Sequence, residues 1–110
     1  MKLYRYHENY GRMGSIEGLF FLTDEEVEKY KKYTDYLWWD ELLGKHSEGY
    51  FSFSDDTLEV IELPENVVAT LYEKLGKVLS GPFDFEYFDE IIQERIDEDE
   101  EDEEEDADED

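Results

Sequence analysis

Polar and apolar residues alternate through KLYRYHE at 2–8, with Leu3, Arg5 and His7 on one side and Tyr4 and Tyr6 on the other, which is the two-residue period of a β-strand. Gly11 and Gly14 punctuate a loop, and the apolar run IEGLFFL at 16–22 reads as a second strand forming a hairpin with the first. Thr23 followed by Asp24, Glu25 and Glu26 has the form of a capping box, in which the Thr hydroxyl accepts from the backbone three residues on and Glu26 reaches back. With Leu22 and Val27 at hydrophobic-staple positions, this predicts a helix over 24–33. The aromatic and branched residues at 36–43, YLWWDELL, favour a third strand, although they leave a helical turn open there. A fourth strand over 49–54 sets Phe51 and Phe53 against Tyr50, Ser52 and Ser54, and a fifth covers 57–62. Residues 36–62 therefore read as a three-stranded meander.

Pro64 suits the first turn of a helix, and Val67, Val68, Leu71, Leu75, Val78 and Leu79 recur at helical spacing, so a second helix is expected over 65–79. Gly76 is either its end or an interior glycine, and the S-G-P at 80–82 closes the element in either case. A third helix is expected over 84–97, where Phe85, Phe88, Ile92 and Ile96 share one face and acids cover the other. The predicted fold class is α+β: about five mostly antiparallel strands packed on one face by two or three helices.

Charge changes the picture more than any motif. The chain has 34 acids against 10 Lys and Arg, a formal net charge of −24. Thirteen of those acids lie at 97–110, so residues 1–96 keep 21 acids against the same 10 bases and still carry −11. We divide the chain accordingly into a single acidic domain, 1–96, and a polyacidic tail, 97–110, expected to be disordered when free because like charges at i and i+4 oppose a helix. As a helix, such a tail carries a charge every ~1.5 Å, against one per ~1.7 Å of axis for duplex DNA. Aromatic residues at 16% of the sequence are too many for a wholly disordered chain.

The composition also excludes function classes. Without cysteine there are no disulfides and no thiolate metal sites. The N-terminus has no apolar run of the signal type, and no stretch approaches the ~20 apolar residues of a membrane span, which leads us to expect a cytoplasmic protein. An anionic surface is repelled by nucleic acid and by anionic lipid, so neither is expected as a direct partner.

His46, Ser47 and Glu48 are catalysis-capable types, but consecutive residues cannot face one another as nucleophile, base and orienter, and a polar loop is the better reading. GRMGS at 11–15 matches no phosphate-binding fingerprint and reads as a turn. His7 and His46 are the only imidazoles and lack a helical His partner, while no segment has the form of a calcium loop, so no metal and no cofactor are expected. No catalytic constellation rises above chance, and a non-enzyme is expected. Trp38 and Trp39 must face opposite sides of a strand: either both are packed in the core or under a helix, or one is exposed as an aromatic anchor for a basic partner.

Small size, an acid-dominated body, an acidic tail, abundant aromatics and the lack of cysteine together resemble the phage-encoded DNA-mimic inhibitors: the anti-restriction, anti-CRISPR and uracil-DNA glycosylase inhibitor type. The resemblance is one of composition and carries no residue over. It implies an anti-defence mechanism in which carboxylates displace phosphate from the groove of a basic nucleic-acid-binding protein. The expected partner-binding residues are Trp38, Trp39, Asp84, Glu86, Asp89, Glu90, Glu94, Asp97, Glu98, Asp99, Glu100 and Glu101. The alternatives are an acidic chaperone or assembly factor that shields a basic protein, and a small regulatory domain with a solubilising tail.

Overall fold

The computed structural model describes the backbone of residues 1–109 and the side chains of residues 1–98. β1 (Lys2–Asn9) and β2 (Ser15–Leu22) form the expected hairpin, in register from Lys2↔Leu22 to Asn9↔Ser15. α1 (Asp24–Lys32) opens on the capping box: the Glu26 N–H donates to the Thr23 hydroxyl at 3.1 Å and the Thr23 N–H to the Glu26 carboxylate at 3.0 Å. β3 (Trp38–Asp40), β4 (Glu48–Tyr50), β5 (Leu58–Ile61), α2 (Glu65–Leu75), β6 (Val78–Ser80) and α3 (Phe85–Glu109) follow. The fold is α+β, with three α-helices and six strands in a four-stranded antiparallel sheet of order β5-β1-β2-β6 and a separate β3-β4 pair.

Four sequence expectations are corrected. The meander over 36–62 does not exist, because β5 pairs with β1 and not with β4. Its central segment 51–54 has no ladder: Phe51 N–H donates to Leu37 O, and neighbouring side chains satisfy other groups of its backbone. The Tyr6 hydroxyl accepts from Ser52 N–H, Thr34 bridges Phe51 and Phe53, and the Thr57 hydroxyl donates to Ser52 O and accepts from Ser54 N–H. The third strand shrinks to Trp38–Asp40 because a 3-10 turn occupies Thr34–Tyr36 and Glu41 takes a left-handed φ of 56° that no strand accommodates.

The second helix stops at Leu75. Gly76 adopts φ 86°, its N–H bonds Tyr72 O, and Val78–Ser80 becomes β6 alongside β2. The helices also do not share one face of the sheet. Tyr4, Tyr6, Ile16, Phe20 and Leu22 pack against Val27 and Tyr30 of α1 and Phe85, Phe88 and Ile92 of α3, whereas Leu3 and Phe21 face the other way onto Val68 of α2. The adjacent Phe20 and Phe21 are both fully buried because the sheet is covered on both sides.

α3 begins as its periodicity predicts, with Phe85, Phe88 and Ile92 buried and Ile96 packed at the margin. The Asp84 carboxylate caps it, accepting from Tyr87 N–H at 3.1 Å. The helix continues to Glu109, past the end at 97 expected from the sequence; the side chains of 99–110 lie outside the described residues.

Phe83 holds the hairpin to the rest of the core, stacking edge-on against Phe20 (4.8 Å) and Tyr6 (5.1 Å). It can do so only because residue 18 is glycine: a Cβ there would overlap the Phe83 ring and lie 2.9 Å from Ser80 O. Gly18→Ala is accordingly expected to destabilise the domain by about 1–3 kcal/mol, read as a lower urea midpoint at unchanged m-value.

Candidate partner-binding face

The acids of α3 fall into three groups. Glu86, Glu90 and Glu94, four residues apart, form a ridge along its outer side; all three are exposed and none meets a Lys or Arg among the described residues. Asp97 continues the outer surface and accepts from the Gln93 amide at 3.0 Å, and Glu98 pairs with Arg95 at 3.2 Å. Asp89 turns inward. It accepts from Tyr30 Oη at 2.8 Å and pairs with Lys29 Nζ at 2.8 Å, so it ties α3 to α1 and is not an open contact. The side chains of Asp99, Glu100 and Glu101 lie outside the described residues.

The two tryptophans separate as strand geometry requires. Trp39 is buried, edge-on to Tyr10 at 5.3 Å and lying over Gly49, where a Cβ would sit 2.7 Å from the indole. Its Nε1–H finds no acceptor among the described residues. Trp38, 39% exposed, sits opposite the exposed Tyr50 on β4. Between this hairpin and the start of α3 is a cleft of about 270 Å³, lined among others by Trp38, Trp39, Asp40, Leu42, Asp84 and Tyr87. Three of the sequence-predicted contacts, Trp38, Trp39 and Asp84, therefore converge on one site. Sequence reasoning missed Asp40, Leu42 and Tyr87; the outward register of Tyr87 on the predicted helix was the one available signal.

Several cations are held elsewhere, although Arg95 lies on α3 and Lys45 in the loop between β3 and β4. Lys29, Lys31 and Lys32 belong to α1, Lys2 pairs with Asp24 at 3.3 Å, and Lys77 pairs with Glu26. Lys31 binds Asp55 at 2.5 Å, and Arg5 and His7 approach Glu17 on the open part of the sheet face. Among the body acids, Glu17, Asp24, Glu26, Asp55 and Asp89 meet a Lys or Arg; Asp40, Glu41, Glu48, Asp84 and the α3 ridge do not. Other body acids without a Lys or Arg partner lie on α1, α2 and β5, among them Glu25, Glu28, Glu73 and Glu59; α3 differs in carrying three of them, four residues apart, on one exposed side.

Comparison with protein-family models, curated proteins and solved structures finds no match. The chemistry of the face therefore stands on its own geometry. Ser47 is committed to the 41–47 loop, donating to Gly44 O at 2.7 Å and accepting from Leu43 N–H, while His46 is exposed at a left-handed φ of 68°. Among the described residues no three carboxylate or imidazole side chains converge as metal ligands, and no helix is long and apolar enough to cross a membrane.

Three carboxyls are held below their usual values, the exposed Asp55 by its hydrogen bond from Lys31 and the partly buried Glu26 and Asp89, and the last two couple stability to pH. Burial opposes ionisation of Glu26, but the Lys77 ammonium and the Thr23 N–H outweigh it and hold the carboxyl below its usual value of 4.5. Burial likewise opposes, and the hydrogen bonds from Lys29 and Tyr30 outweigh it, at Asp89, held below 3.8. A carboxyl lowered on folding contributes stability that is fully present above its unfolded pKa and lost as pH falls through its folded pKa. Glu26→Gln is therefore expected to narrow its stability deficit against wild type as pH falls from about 5 toward 2, measured as the difference in urea midpoints across that range.

Proposed function

We propose that the chain is a non-enzymatic binding protein whose acidic face occupies the phosphate-binding groove of a basic nucleic-acid-handling enzyme, an inhibitor by DNA mimicry of the phage counter-defence type. The observation that carries this reading is the exposed ridge Glu86–Glu90–Glu94, which meets no Lys or Arg among the described residues. Residues four apart on a helix are about 6 Å apart along its axis, close to two steps of the ~3.4 Å phosphate repeat on one DNA strand. The ridge sits on a helix anchored by Phe85, Phe88 and Ile92, so its spacing is fixed before a partner arrives. The second reading, a shielding chaperone, is favoured by the 13 acids of 97–110, which need no folded body to cover a cationic surface.

Calorimetry against a positively charged nuclease tests the proposal. Affinity is expected to fall steeply between low and moderate salt, and the triple variant Glu86→Gln, Glu90→Gln, Glu94→Gln is expected to weaken binding by about tenfold or more. Binding indifferent to ionic strength would overturn it. Deleting 97–110 separates the two readings: retained binding favours the folded face, and complete loss favours the shielding tail.

A further inference from the structure

We infer that the cleft between the β3-β4 hairpin and the start of α3 is a receptor for one arginine side chain of the basic partner. This rests on the proposed function and assigns its point of specificity. Its walls carry Trp38, 39% exposed, and Tyr87, 42% exposed, with Leu42 beside them, and its charges are Asp40 and Asp84. No Lys or Arg lies within ion-pair distance of either carboxylate among the described residues.

Aromatic faces combined with carboxylates match a guanidinium, which is flat, weakly hydrated and able to stack while it donates in plane. An ammonium is a compact, strongly hydrated point charge and gains less from such walls. Size points the same way, since about 270 Å³ is below the ~300–1,000 Å³ of small-molecule sites and suits a single side chain. The chain already uses this recognition once nearby: the Arg95 guanidinium lies 4.9 Å from the Tyr36 ring centroid and meets Glu98 at 3.2 Å. Asp84 keeps one carboxylate oxygen for the ligand while the other caps α3. The charge of −24 attracts any cationic segment, whereas the cleft discriminates among cations.

The test is calorimetry of the full chain with a hexa-arginine peptide and a hexalysine peptide at 0.15 M salt, about the ionic strength at which exposed charges more than ~8 Å apart are screened. Hexa-arginine is expected to bind about tenfold tighter than hexalysine. Trp38→Ala is expected to abolish that preference, as is the pair Asp40→Asn and Asp84→Asn, in which asparagine preserves the helix cap. The Glu86→Gln, Glu90→Gln, Glu94→Gln variant is expected to weaken both peptides alike and to keep the preference. Equal binding of the two peptides by the wild type, or a preference that survives Trp38→Ala, would overturn the arginine receptor and leave the acidic-face reading standing. Binding of neither peptide even at low salt would overturn both.

Discussion

Aromatic packing is the constraint on which everything else depends. A body of this size with a charge of −11 repels itself in the folded state, and its core must outweigh that repulsion as well as chain entropy. Each large ring removes ~150–250 Å² from water and adds edge-to-face attraction to its neighbours. Tyr6, Phe20, Tyr30, Phe51, Phe53, Phe83, Phe85 and Phe88 meet with ring centroids 4.8–6.5 Å apart, drawn from two strands, two helices and the irregular segments between them. The polar handles on two of these rings serve the fold as well. The Tyr6 hydroxyl holds the backbone of the 51–54 segment, and the Tyr30 hydroxyl holds Asp89. Burial pushes both phenols well above the ordinary tyrosine range, so Tyr6 remains a neutral acceptor for Ser52 N–H and Tyr30 a neutral donor to Asp89 at physiological pH.

The same core decides where charge appears. Burying Phe85, Phe88 and Ile92 turns Glu86, Glu90 and Glu94 outward, while the i+4 relation that aligns those three also leaves Asp89 on the inner edge, within reach of Lys29. Lys29 is consumed by Asp89 on the inner edge of α3, and Lys2 and Lys77 are consumed by Asp24 and Glu26 of α1. The bases are few and several of them stitch elements together, which leaves the outer ridge of α3 without a cation among the described residues. Exposed pairs of this kind contribute little stability on their own; their consequence here is spatial.

The sequence legibly determined the elements whose signals are local. The β1-β2 alternation, the Thr23 capping box, the opposite facing of Trp38 and Trp39, and the Phe85–Phe88–Ile92 stripe all follow from backbone periodicity and nearest-neighbour hydrogen bonding, which act within a few residues. Net charge and its division between body and tail are likewise properties of the chain alone. Tertiary structure decided the rest because distant groups compete for the same backbone. YFSFS has the alternation of a strand, yet Tyr6, Thr34 and Thr57 take its hydrogen bonds, and β5 is left to pair with β1. Val78 and Leu79 continue a helical pattern, yet the left-handed turn at Gly76 hands them to the edge of β2. The cleft joins Asp40 to Asp84 across 44 positions of sequence, and no spacing rule reaches that far; only the packing of a hairpin against a helix could place two carboxylates and two aromatic faces around one space.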